Sequence, residues 1–304
     1  MLVYSILPEK RIKKRIQSIK CWLIDMDGTV SLGEDLLPDA GRFFHALKDQ
    51  RFIFVTNNSS HSADHYVKRM NRIGIPTKRE NVLTSTDALI LYIKEKFARF
   101  KDIISYDMSL NADGFVMDTF PIMDENAPAI KVFPVGTPDF EMELEEAGIS
   151  IIKDRDESID AVLLGFDSTL TYEKLDIACD YIRQGVPYFA ANPDKVCPMA
   201  EGKVMPDCGS IMSFMKTCTG IMPEKIIGKP DPAMIDIVIT EYGYARDEIA
   251  MVGDRIYTDM SFAKNAGILC IAVLTGEAAF DDILKSGIDP DIVFDSIGDI
   301  ADYL

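Results

Sequence analysis

The chain has 304 residues, 47% of them apolar and 27% charged, which is the balance of a globular protein with a large buried core and excludes disordered, fibrous and collagen-like classes. At roughly 100 to 200 residues per domain, the length favours two domains. The 49 acidic residues exceed the 32 basic ones by 17, a field that repels nucleic acid and anionic membrane surfaces, so the expected partner is a small molecule.

The elements follow in chain order. Lys10 to Lys20 is basic but carries Ile12, Ile16 and Ile19 at helical spacing, which predicts a packing helix. Cys21 to Ile24 is a short apolar run that ends in Asp25, Asp27 and Gly28, as a buried parallel strand does when it delivers polar groups to the loop at its carboxyl end. Phe52 to Val55 repeats the pattern and ends in Thr56, Asn57, Asn58, Ser59 and Ser60. Ser62 to Ile73 then reads as a helix stopped by Gly74. Val132 to Val135, Ala161 to Gly165 and Tyr188 to Ala191 are strand signals of a second unit, with Asp167, Asn192 and Asp194 at their ends. Glu248 to Val252 ends in Gly253 and Asp254, a helical stretch covers Asp259 to Asn265, and Ile268 to Leu274 closes a β-α-β alternation. The expected fold class is therefore α/β, a Rossmann-like parallel-sheet core formed by residues 1–87 and 223–304 with a smaller α/β cap domain, residues 88–222, inserted into it.

The longest apolar run, Ile268 to Leu274, is seven residues, far short of the roughly 18 that a membrane span needs. The first twenty residues place a short apolar segment ahead of the basic cluster, the reverse of a secretory leader. Six cysteines stand without a C-x-x-C pair, so a cytoplasmic protein with buried, reduced thiols is expected.

The polar strand ends carry the chemistry. Asp25 and Asp27 sit at i and i+2 beside a glycine that permits a tight turn, and a hard cation such as Mg²⁺ suits one or two carboxylates together with phosphate oxygens. An EF-hand is excluded because Val30 stands where its loop needs glycine. Thr56 and Asn57 offer a hydroxyl and a backbone N–H to a phosphate, and Lys229 is held in a stiff Gly-Lys-Pro turn after the apolar pair Ile226 and Ile227. Asp254 supplies a third carboxylate for the cation, and Asp259 a partner behind it. His61 and His65 share a helix face without a third ligand nearby, and neither a nucleotide P-loop nor a dinucleotide fingerprint occurs.

These four strand-end motifs, DMDGT at 25 to 29, Thr56, Lys229 in GKP and GDRIYTD at 253 to 259, resemble those of the haloacid dehalogenase superfamily of phosphohydrolases. The spans LIDMDGT, FVTNNSS, LLGFDSTLTYEKL, ANPD, IGKPDP and MVGDRIYTDM resemble the branch with NagD-like and nitrophenyl-phosphatase-type enzymes, which carries a large α/β cap. The resemblance implies an Mg²⁺-dependent phosphatase of small phosphomonoesters, with Asp25 as nucleophile and Asp27 as general acid and base. It also implies that Asp25 and Asp254 hold Mg²⁺ by side chain and Asp27 by its backbone carbonyl, with Thr56, Asn57 and Lys229 on the phosphate. Cap residues Asn192 and Asp194 are the expected selectivity residues, and the partner is a small phosphorylated metabolite, with neither nucleic acid nor membrane; self-association into a homo-oligomer stays open. A phosphotransferase or mutase using the same aspartyl-phosphate is the alternative, ahead of a receiver-type or non-catalytic phosphate binder. About thirty residues between Phe97 and Val132, and the extension 1–20, depart from the pattern.

Overall fold

The computed structural model describes residues 1–47, 50–107, 129–155, 158–199 and 203–304. Most of the extra segment ahead of Val132, residues 108–128, lies outside them. The chain opens with strand β1 (Leu2–Ser5) and helix α1 (Glu9–Gln17), whose Ile12 and Ile16, with Ile19 beyond, are buried as their spacing predicts. Strand β2 (Cys21–Ile24) is buried throughout, and the chain then turns back through the small hairpin of β3 (Ser31–Leu32) and β4 (Asp35–Leu36). Helix α2 (Ala40–Ala46), strand β5 (Arg51–Thr56), helix α3 (Ala63–Arg72) and strand β6 (Val82–Thr84) follow. Ser62 caps α3 by accepting a hydrogen bond from the backbone N–H of His65.

Helix α4 (Ser85–Asp107) leads into the second unit. That unit runs through β7 (Lys131–Val135), α5 (Pro138–Glu146), β8 (Ser150–Ile151), β9 (Ala161–Leu164), α6 (Tyr172–Arg183) and β10 (Tyr188–Ala190). The hairpin of β11 (Val196–Pro198) and β12 (Val204–Pro206), helix α7 (Cys208–Thr219) and strand β13 (Lys225–Ile226) complete it. The chain then returns through α8 (Ala233–Tyr242), β14 (Ile249–Gly253), α9 (Ser261–Ala266), β15 (Leu269–Val273), α10 (Phe280–Ser286) and β16 (Ile292–Phe294).

Two main sheets result. The seven-stranded sheet has the order β1-β16-β15-β14-β2-β5-β6 and is parallel except for β1, which pairs antiparallel with β16. The five-stranded sheet, β13-β10-β9-β7-β8, is parallel throughout. From β2 the chain moves outward to β5 and β6 and later returns on the other side through β14, so the topological switch point lies between β2 and β14, where a ligand crevice is expected.

The structure revises some of the expected boundaries. Strand β13 pairs with β10, so the second sheet extends to Ile226, beyond the expected end at residue 222. The start at residue 88 falls inside α4, whose Ala88, Leu89 and Ile93 share one apolar cluster with Leu23 and Val55 of the first sheet and Phe140 and Phe189 of the second unit. Asp167 does not face the crevice; its buried carboxylate accepts hydrogen bonds from Lys174 Nζ at 3.0 Å and Thr169 Oγ1 at 2.7 Å. Four cysteines are buried as expected, but Cys218 is exposed and Cys197 half-buried. Among the described residues no helix is long and apolar enough to cross a membrane.

Candidate active site

Three strand ends converge at the switch point. Asp25 leaves β2, its backbone N–H donating to Val252 O at 2.9 Å, which holds the loop against β14. Asp254 follows β14 directly, and Asp259 lies in a single wide π-helical turn, Ile256–Met260, of the kind that often marks functional sites. One carboxylate oxygen from each of Asp25, Asp254 and Asp259 lies within 4.8 Å of the others, and all three residues are buried. Lys229, only 2% exposed, places Nζ 2.6 Å from Asp25 Oδ1 and 2.7 Å from Asp259 Oδ1 and donates to Val55 O at 2.9 Å.

The remaining oxygens are aimed by fixed donors. Asp254 accepts from Thr29 Oγ1 at 3.2 Å and from the Glu277 N–H at 2.7 Å, and Asp259 Oδ2 from the Arg255 N–H at 3.1 Å. Glycines make room for the carboxylates: a Cβ on Gly276 would stand 1.9 Å from Asp254 Oδ2, and one on Gly28 2.4 Å from the same atom. Gly28 also adopts φ +92°, which only glycine takes at little cost. Burial raises the Asp25 carboxyl to about 8 against the pull of Lys229, and burial together with Asp259 raises Asp254 to about 6. Burial alone lowers the Lys229 ammonium, but Asp25 and Asp259 outweigh it and hold it above its ordinary value. Three crowded, desolvated carboxylates in a glycine cradle are a donor set that fits a small, hard divalent cation.

The expected residues fall into two groups. Asp25, Asp27, Thr56, Asn57, Asp194 and Lys229 all line one cavity of about 50 Å³. Thr56 Oγ1 accepts the Asn58 N–H at 3.1 Å, and Asn57 Nδ2 donates to Lys229 O at 2.8 Å and Asp194 Oδ2 at 3.2 Å. Asp254, Asp259 and Asn192 are not part of that lining, and one assignment changes. Asp259 is a full member of the carboxylate cluster and not a partner behind it. The Asp27 side chain stands outside the cluster, because the loop curls back after Met26, with Val30 and Ser31 N–H both donating to Met26 O, and turns the carboxylate toward Arg69. Asn192 is a strut: it is fully buried, and its Nδ2 donates to Asn57 O at 2.6 Å.

Arg255 and Asp207 also line the cavity and were missed in the sequence, although Arg255 directly follows Asp254. Burial raises Asp207 to about 7. A larger groove of about 1250 Å³, bordered by Lys78, Glu143 and Tyr242, includes none of the clustered carboxylates in its wall. The second unit is docked through the same polar segment that ends β5. Thr137 Oγ1 donates to Ser60 O at 2.9 Å, and Asp139 and Glu143 accept the first N–H groups of α3, from Ser62 at 3.1 Å and Ala63 at 2.7 Å.

A family profile described as haloacid dehalogenase-like hydrolase matches residues 22–150, and a second, of HAD-hydrolase-like sequences, matches residues 226–300. An acid sugar phosphatase of Staphylococcus epidermidis is 32% identical over 277 residues, covering 90% of this chain and 94% of its own. The chain belongs to the haloacid dehalogenase-like hydrolases. The 4-nitrophenylphosphatase of Thermotoga maritima superposes with a TM-score of 0.80 at 36% identity, covering 95% of this chain and 98% of that one. A glycerol phosphate phosphatase of Mycobacterium tuberculosis, solved in complex with magnesium, has a TM-score of 0.78 at 27% identity, covering 94% of this chain and 77% of that one. Within the family the chain falls in the NagD-like branch, and its enzyme class is that of the phosphoric monoester hydrolases.

Proposed function

We propose that this hydrolase cleaves small polyhydroxylated phosphomonoesters, of the sugar phosphate type, through an aspartyl-phosphate on Asp25, with Mg²⁺ held by Asp25, Asp254 and Asp259. The observation that carries the reading is the buried Lys229 ammonium bridging Asp25 and Asp259 at the edge of the cavity that also holds Thr56 and Asn57. In a chain with 17 excess negative charges, that ammonium together with a bound cation would offset the three clustered carboxylates and admit an incoming phosphate. The cation supplies further charge neutralisation and a fixed phosphate orientation when bound.

This chain's own groups account for the proton and bond bookkeeping. An Asp25 carboxylate oxygen attacks phosphorus and the ester P–O bond breaks, the departing alkoxide taking a proton from Asp27. Asp27 then accepts a proton from the water that attacks the aspartyl-phosphate, which releases inorganic phosphate and regenerates the Asp25 carboxylate. Lys229 ties down Asp25 Oδ1 and meets the phosphate charge, with Thr56 and Asn57 at the neighbouring strand end.

Selectivity belongs to the second unit in this reading. Asp194 and Asp207 bring carboxylates into the cavity wall, and these accept hydrogen bonds from hydroxyl groups. The names of two relatives, an acid sugar phosphatase and a glycerol phosphate phosphatase, support that substrate class. A cavity of about 50 Å³ has room for one or two waters, so entry of a metabolite requires the second unit to lift from the core, a hinge movement that excludes water on closing. The test is a panel of sugar phosphates, glycerol phosphates, nucleoside monophosphates and nitrophenyl phosphate with Mg²⁺, reading inorganic phosphate for the wild type and Asp194→Ala. The reading expects stoichiometric phosphate release and a changed substrate ranking in the variant. Leaving group freed without phosphate would indicate transfer to a second acceptor, and a uniform fall across the panel would remove Asp194 from selectivity.

A further inference from the structure

We infer that Arg69, on the last turns of α3, is the positioning residue of Asp27. This rests on the acid and base role given to Asp27 above. The Arg69 guanidinium is buried and spreads its donors over Asp27, Ser31 and Gly33. Nη1 donates to Asp27 Oδ2 at 3.2 Å and Nη2 to Asp27 Oδ1 at 2.5 Å, a two-point fork on the carboxylate. Nε and Nη2 donate to Gly33 O at 3.0 and 2.6 Å, and Nη2 also to Ser31 Oγ at 2.9 Å, which anchors the guanidinium to the β3–β4 hairpin.

The exposures say which partner sets the geometry. The Arg69 side chain is 8% exposed and Asp27 41%. Packing therefore immobilises the guanidinium but leaves the carboxylate free to rotate about its own side-chain bonds. An aspartate that must face first a leaving oxygen and then a water is effective only if its plane is held, because misorientation dilutes the reactive geometry. A planar fork holds that plane; a lysine at the same place gives a single point of attachment.

The alternative role for Arg69 is bracing of the β3–β4 hairpin, and kinetics with two kinds of leaving group separate the two. Nitrophenolate departs as an anion, whereas an alkoxide needs the Asp27 proton. The ratio kcat/KM reports events up to leaving-group departure, and kcat includes water attack on the aspartyl-phosphate. For Arg69→Ala we expect kcat/KM on glycerol phosphate to fall about 10- to 100-fold, the usual loss when a group that orients a catalytic side chain is removed. On nitrophenyl phosphate kcat/KM should stay within about threefold while kcat falls on both substrates. Arg69→Lys should show the same split at smaller size and serves if the alanine variant does not fold. Ser31→Ala removes one hairpin bond to the guanidinium and should produce no split.

Asp27→Asn, measured alongside, separates two kinds of failure. If it shows the split and the Arg69 variants lower both kcat/KM values equally, or neither, the inference is overturned and the role of Asp27 stands. A split in Ser31→Ala likewise assigns Arg69 to bracing. Absence of the split in Asp27→Asn overturns the acid and base role itself.

Discussion

Lys229→Met removes an ammonium that touches two members of the carboxylate cluster, and its consequence can be sized from the structure. The substitution keeps the unbranched stem but deletes contacts at 2.6 Å to Asp25 and 2.7 Å to Asp259, both within a site from which water is almost excluded. Removing one partner of a buried ion pair costs about 3 to 5 kcal/mol because the other charge is left uncompensated. Lys229 serves two carboxylates, so the upper part of that range is expected in the presence of chelator. A divalent cation that binds only the folded protein returns stability as RT ln(1 + [L]/Kd), about 2.7 kcal/mol at a hundredfold excess over Kd. The gap between variant and wild type should therefore narrow with Mg²⁺, since the variant cluster has lost a competing positive charge. Adding Asp259→Asn should recover about 1 to 3 kcal/mol relative to Lys229→Met alone, because the two sites share one contact and do not add. The assay is the unfolding transition by calorimetry or urea in EDTA and in Mg²⁺, with phosphate release measured on the same samples. A Lys229→Met protein within about 1 kcal/mol of wild type in EDTA, or a double variant no more stable than the single one, would refute the reasoning.

Four further outcomes follow, three at the carboxylate cluster and one where the second unit meets α3. Asp25→Asn should abolish turnover with every ester and Asp254→Asn should weaken divalent cation binding in calorimetric titration; phosphate release by the first variant would remove Asp25 as nucleophile. Gly276→Ala forces a Cβ to within 1.9 Å of Asp254 Oδ2 unless the carboxylate moves, so cation affinity should drop by about tenfold or more, and an affinity within about twofold of wild type would show that the cradle yields. Burial raises Glu143, which lies on α5 and accepts the Ala63 N–H of α3, from its ordinary 4.5 to about 7. Its contribution to stability is thus complete below the unfolded value and lost as pH rises through about 7. Glu143→Gln should gain on wild type in melting temperature between pH 5 and pH 8, and a constant difference across that window would contradict the assignment.

Much of the core was legible because its signals are local. Apolar runs that stop at polar residues mark β2, β5 and β14, and the isoleucines of α1 mark its buried face. The π-helical turn was not legible. The five-residue spacing of Asp259 from Asp254 suggests a partner behind the cation site and does not reveal that the wide turn carries its carboxylate into the cluster. Spacing alone is no guide to Asp27 either: two aspartates at i and i+2 suggest carboxylates aimed at one ligand, but the loop bends between them and turns the Asp27 carboxylate to Arg69. Asn192 and Asp194 are likewise neighbours, yet one is a buried strut and the other lines the cavity. Strand β13 is two residues long and has no periodicity to detect.

The fold class, the order of the strand-end motifs and the nucleophile candidate are all readable from the linear pattern, because each depends on short-range patterning and on residue type. Which charge neutralises which emerges only when the chain is folded. Lys229 meets Asp25 across 204 positions of chain, Arg69 meets Asp27 across 42, and Asn192 reaches Asn57 across 135. Such pairings depend on which strands become neighbours at the switch point and how each loop bends as it leaves them. Electrostatic energy in a buried site depends on distances of a few ångströms, and a linear pattern carries none of those distances.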